Sequence, residues 1–205
     1  MFRITTGRRA ILGVAVAAAM TVSLAACGEE SSDEPGSGTA PVPSASADTS
    51  LADKVPADIK AAGKLVIGTD STYAPSEFLD TDGKTVVGFD VDLFNAVAQK
   101  LGLTTEWQSA KFDAIIPAVV SKKYQVGVSS FTINADRLKE STMISYFSAG
   151  TQWATKSGAT ISPDDACGKK VAVQVGTVQL DDITAKSKKC TDGGKKAITI
   201  DQYQS

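Results

Sequence analysis

From residue 64 onward, short apolar runs ending at small or polar residues alternate with longer segments whose apolar residues recur at helical spacing. Residues 64–68 (KLVIG) read as a buried strand, and residues 85–89 (TVVGF) read the same way. Asp90 then offers an N-cap to a helix carrying Val91, Phe94, Val97 and Leu101. A strand is expected at 103–107, a helix at 112–120 in spite of Pro117, a third buried strand at 125–129, and a helix starting near Asn134. Residues 146–155 are expected to be extended, 170–175 to form a strand, 178–188 a helix and 197–200 a last strand. Strands alternating with helices imply an α/β fold with parallel sheets covered on both faces. There is no internal repeat.

In open α/β sheets, ligands bind beyond the carboxyl ends of the strands. Three such ends are polar here: Gly68-Thr69-Asp70, Ser129-Ser130-Phe131-Thr132 and Gly176-Thr177. Composition narrows the chemistry available to them. The 205 residues include no His and 3 Cys, so His-based triads and a four-cysteine zinc site are both excluded. No glycine-rich phosphate motif occurs. No cofactor and no metal are expected. The formal net charge of −2 argues against a nucleic-acid partner, which calls for a basic face.

The N-terminus reads as an address. Arg3, Arg8 and Arg9 precede a small and apolar run from residue 10 to residue 20, and the small residues Leu24-Ala25-Ala26-Cys27 follow. That is the pattern of a secretion signal over residues 1–26, and the alternative is a membrane-spanning anchor. The string LAAC resembles the lipobox of bacterial lipoproteins. The resemblance implies that Cys27 is acylated, becomes the mature N-terminus and holds the protein on the outer face of a membrane. Residues 1–26 carry three of the 21 basic residues and none of the 23 acidic ones, so the mature chain has a net charge of −5. Residues 27–55 are rich in Gly, Ser, Pro, Ala, Thr and acid, and are expected to be a flexible tether.

The runs GTDSTYAP, VVGFDVDLFNAVAQKLG, FDAIIPAVVSKKYQVGVSS, TINADR and GKKVAVQVGTVQ resemble, in order and spacing, those of solute-binding protein family 3, the amino-acid-binding proteins of ABC importers. The resemblance covers residues 64 to about 200. It implies a two-lobed periplasmic-binding-protein-like fold of type II that closes on one amino acid. Lobe 1 is expected over 56–152 and lobe 2 over 153–205. It also implies partnership with permease subunits, and the protein is expected to be a monomer.

Individual positions carry the expected site. Arg137 follows the turn after a buried strand, where its planar fork can grip an α-carboxylate, and TINADR favours that role over a surface arginine. The resemblance assigns Ser130 and Thr132 to the ligand's ammonium and carboxylate, and sets Ser129 towards its side chain; ordinary turn chemistry is the alternative. Gly176 and Thr177 open a helix whose backbone N–H groups point at an anion. Tyr73 and Phe112 resemble the pair packed along the ligand side chain. Asp70 resembles the acid facing its far end, and so favours a cationic group or an amide donor; alternatively it caps the turn at Ser71-Thr72.

Two departures stand out. Ser76 follows Tyr-x-Pro where the family has an aromatic residue, and Asn134 replaces a Thr as helix cap. Family members also continue beyond the equivalent of Ser205 with the rest of lobe 2 and an acid that clamps the ligand ammonium, so lobe 2 is expected to be incomplete. With Cys27 acylated, Cys167 and Cys190 remain as an even pair in an oxidising compartment. A strand and a returning helix bring both to one end of their unit, and a disulfide is expected. The leading function is a lipid-anchored receptor capturing a basic or amide amino acid. The alternatives are an exported dehydratase-like enzyme using Asp70 or Glu77, and a sensory lipoprotein that binds without transport.

Overall fold

A computed structural model describes residues 44–205. The signal segment and Cys27 lie outside the described residues, as does most of the expected tether. Helices α1 (Thr49–Ala52) and α2 (Ala57–Ala62) lead into β1 (Lys64–Thr69). Next come β2 (Thr72–Tyr73), β3 (Glu77–Leu79), β4 (Val86–Val87), α3 (Phe89–Lys100), β5 (Thr104–Ser109), α4 (Phe112–Val120) and β6 (Val126–Gly127). The chain continues through α5 (Ala135–Glu140), β7 (Lys170–Gln174), α6 (Val178–Asp192) and β8 (Thr199–Tyr203). Among the described residues, no helix is long and apolar enough to cross a membrane.

Strand β1 is the centre of a parallel sheet ordered β5-β1-β6, with Lys64 opposite Thr104 and Ile67 opposite Val126. Its apolar run is continuous because both faces are covered. Leu65 and Ile67 pack with Ala98, Leu103 and Val128, flanked by Phe94 and Trp107. A second parallel pair, β7-β8, sets Lys170 opposite Thr199 and Gln174 opposite Tyr203. Its core is Ala166, Ile183, Cys190 and Ile198, with Trp153 and Leu180 packed alongside. Cys167 and Cys190 are joined by a disulfide, their Cα atoms 5.6 Å apart.

Several expectations need correction. The sheet β2-β3-β4 is antiparallel, so the run at 85–89 supplies only a two-residue edge strand and not a buried parallel one. Asp90 does not cap α3. Gly88 holds that position at φ 130°, a conformation that favours glycine, and Asp90 lies buried in the first turn. The last strand runs on to Tyr203, and α6 extends to Asp192. The stretch expected as tether is docked before residue 55: Asp48 caps α1 through Ser50 N and Leu51 N, its own N–H reaches Lys100 O at 2.9 Å, and Val55 packs on the β1 core. An aspartate cap and one apolar anchor are enough to dock a segment whose composition alone reads as flexible.

Candidate functional site

The carboxyl ends of β1, β6 and β7 bring most of the expected residues together. Asn134 caps α5, its side chain accepting from Arg137 N at 2.9 Å, which sets Arg137 in the first turn facing the strand ends. Arg137 Nη1 donates to Thr132 O at 2.7 Å, and Nη2 donates to Gly176 O at 3.0 Å. One guanidinium therefore joins the loop after β6 to the turn after β7. Burial lowers its pKa, and Asp181 opposes the shift; an arginine remains charged under such conditions.

Beneath the guanidinium lies an aromatic stack. Phe112 and Phe131 have ring centroids 4.4 Å apart, and Tyr73 stacks on Phe112 at 5.9 Å. Arg137 sits 5.6 Å from the Phe112 centroid and 5.4 Å from that of Phe131, within cation–π range. Tyr73 donates its phenol to Gln174 Oε1. Burial, followed by the negative charges of Asp70 and Glu77, pushes that phenol up to about 12, so it stays a donor at neutral pH.

Asp70, only 3% exposed, is linked to the Tyr73 phenol through the Gln174 amide. Its Oδ1 accepts from Thr72 Oγ1 at 2.7 Å and Thr72 N at 3.2 Å, and its Oδ2 accepts from Gln174 Nε2 at 3.0 Å. One oxygen of the carboxylate thus caps the turn at Thr72 and the other binds the Gln174 amide. Gly176 has φ 75°, and a Cβ there would stand 2.7 Å from Asp113 Cβ, so glycine lets the β7–α6 turn approach α4. Thr177 caps α6: its hydroxyl accepts from Leu180 N at 3.3 Å and donates to Gln174 O at 2.8 Å.

Ser130 and Thr132 are exposed on the same turn, and Thr132 uses its carbonyl to hold Arg137. Ser129 is placed differently from the sequence expectation. It is buried, and its hydroxyl donates to Glu77 Oε1 at 2.5 Å instead of facing outward. Ser129 lies two residues past β6, beside the buried Val128, and turns inward to the Glu77 carboxyl. Two contributors were not singled out from the sequence: Phe131, in the middle of the Ser-Ser-Phe-Thr turn, and Gln174, the last residue of β7. The rule that sites lie at carboxyl ends of strands points to both.

The family profile of bacterial extracellular solute-binding proteins, family 3, matches residues 65–199. The chain belongs to that family. An arginine-binding protein of Corynebacterium glutamicum is 37% identical over 154 residues, covering 74% of this chain and 50% of the relative. An ancestral arginine-binding protein solved with arginine superposes with a TM-score of 0.58 at 33% identity, over 70% of this chain and 62% of that one. An ancestral amino acid-binding protein that is a precursor of cyclohexadienyl dehydratase gives a TM-score of 0.58 at 32% identity, over 72% of this chain and 64% of the other. The family 3 fold, α/β and two-lobed, is the one expected from the sequence. The chain spans about half the length of the curated relative from Corynebacterium.

Proposed function

We propose that this family 3 chain captures an amino acid with a basic or amide side chain outside the cytoplasm and presents it to an ABC importer. The observation that carries the reading is that one aromatic stack is flanked by opposite charges. Arg137 stands over Phe112 and Phe131, and Asp70 is joined to the Tyr73 phenol through Gln174. An α-amino acid lying along the rings meets Arg137 with its carboxylate and Asp70 with the far end of its side chain. The N-terminus of α6, opened by Gly176 and Thr177, adds backbone donors on the carboxylate side. A glutamate or aspartate ligand would set like charges against Asp70, which costs affinity. The arginine-binding relatives agree with this polarity.

The two lobes, 56–152 and 153–205, then correspond to the sheets β5-β1-β6 and β7-β8, with Arg137 and Gln174 crossing between them. Cys27 carries the lipid anchor, and labelled palmitate should enter the wild-type protein but not Cys27→Ser. The enzyme alternative has less support: Glu77 is fully buried and bonded to Ser129, so it cannot reach a substrate. Calorimetry with arginine, lysine, glutamine and glutamate tests the reading. Binding of a basic or amide amino acid, with glutamate excluded, supports it; preferred binding of glutamate overturns it.

A further inference from the structure

Glu77 stands on β3 directly opposite Tyr73 on β2, so one short hairpin carries both the tyrosine of the aromatic stack and a fully buried carboxyl. Its Oε1 accepts from Ser129 Oγ at 2.5 Å, while Oε2 is buried without a hydrogen-bond partner. A carboxyl placed this way costs stability that an apolar side chain of similar size would not. What it provides is a fixed point for the turn after β6. The Ser129 carbonyl accepts from Phe131 N–H at 2.7 Å, so the anchored serine sets the turn that presents the Phe131 ring and the Thr132 carbonyl. Those two groups seat Arg137. Its guanidinium lies 5.4 Å from the Phe131 centroid, and Nη1 donates to Thr132 O at 2.7 Å. Thr132 O and Gly176 O engage two of the five guanidinium N–H groups, which fixes the plane of the fork and leaves three for a carboxylate.

We propose that Glu77 is a positioning residue for amino-acid binding: through Ser129 it holds the turn over residues 129–132, and with it Arg137, where the guanidinium meets the ligand carboxylate. This rests on the amino-acid-binding reading above and names the residue that orients its carboxylate clamp. Glu77 and Ser129 are both sealed from solvent, so they act through the turn and not by touching the ligand. Every α-amino acid carries the same carboxylate. Loss of the anchor therefore weakens all of them by a similar factor, whereas a change at Asp70 separates cationic from neutral side chains.

The test is titration calorimetry of arginine and glutamine on the mature protein and on Ser129→Ala, well below the melting temperature of each. Removing the anchoring hydrogen bond is expected to weaken both ligands by about fivefold. In an Arg137→Ala background the same substitution should change affinity by less than about twofold, because no guanidinium is left to misplace. Glu77→Leu should repeat the loss, and Glu77→Gln, which keeps an acceptor for Ser129, should recover most of it. If Glu77→Leu does not fold, the serine variant and its double-mutant cycle decide alone. Wild-type affinity in Ser129→Ala, or an equal loss with and without Arg137, overturns the positioning role while leaving the binding function standing. Failure of the wild type to bind either amino acid overturns both.

Discussion

Ser129 Oγ donates to Glu77 Oε1 at 2.5 Å, with both side chains sealed from solvent. The other Glu77 oxygen, Oε2, and Asp90 Oδ1 are buried without a hydrogen-bond partner. Asp90 Oδ2 accepts from the Tyr146 phenol at 2.5 Å. Asp90 lies close enough to Glu77 to raise its pKa, so the row Ser129–Glu77–Asp90–Tyr146 runs from the loop after β6 through strand β3 and helix α3 to the segment after α5. Burial is the main force raising the Glu77 pKa, with Asp90 adding to it, and the Tyr146 phenol is likewise raised by burial and by Asp90.

Stability should fall as pH rises across neutrality. Glu77 has its pKa raised from an ordinary 4.5 to about 8, so between those values the folded chain binds more protons than the unfolded one. Its stabilising share is complete below 4.5 and is lost as pH rises through about 8. Urea melts at pH 5 and pH 8.5 should show the loss, and Glu77→Gln, which keeps a donor for Asp90, should shrink it. An equal pH dependence in the variant would remove Glu77 as the cause.

Arg137→Ala should weaken amino-acid binding at least tenfold, because truncating one partner of a charged pair costs about 2–5 kcal/mol. Arg137→Lys should restore only part of the affinity, since an ammonium lacks the planar fork that reaches Thr132 O and Gly176 O together. Titration calorimetry of both variants checks this, and wild-type affinity in Arg137→Ala would reject the carboxylate role.

Asp70→Asn should reduce arginine affinity by about tenfold or more, with a smaller effect on glutamine, because the lost charge assists only a cation. A parallel loss for both ligands would mean that the residue acts through the Thr72 turn.

Gly176→Ala should destabilise the β7–α6 turn by about 1–2 kcal/mol from the left-handed backbone alone. Its new Cβ would also push against Asp113, 2.7 Å away. The expected outcome is a lower melting temperature together with weaker ligand binding, both read by thermal shift with and without arginine. Unchanged binding would show that this turn does not contribute to the site.

Replacing Cys167 and Cys190 by Ser should cost about 3 kcal/mol, as expected for closing a loop between residues 23 apart in sequence. The loss should fall on the β7-β8-α6 unit, whose core contains Cys190. Hydrogen exchange localises it: faster exchange in α6 with β1 unchanged is the expected pattern.

Much of this molecule is written locally. The apolar runs of β1, β7 and their helices are decided by which neighbours alternate or recur, so strands and helices are readable residue by residue. The asparagine cap that sets Arg137 in its first turn, the even pair of cysteines and the family strings are equally local, and the lipobox-like address is known from sequence alone. Partnerships between distant side chains are not. Gln174 meets Asp70 across 104 residues, and Ser129 turns to Glu77 across 52, because packing of one sheet against another selects which donor reaches which acceptor. No periodicity encodes that choice. The sequence could place an acid and an arginine at strand ends; only the tertiary structure decided that Phe131 lies under the arginine, that a glutamine covers the acid, and that residues 45–55 lie docked on the core. Burial and hydrogen-bond satisfaction are properties of the assembled packing, and they exist only once distant segments have met.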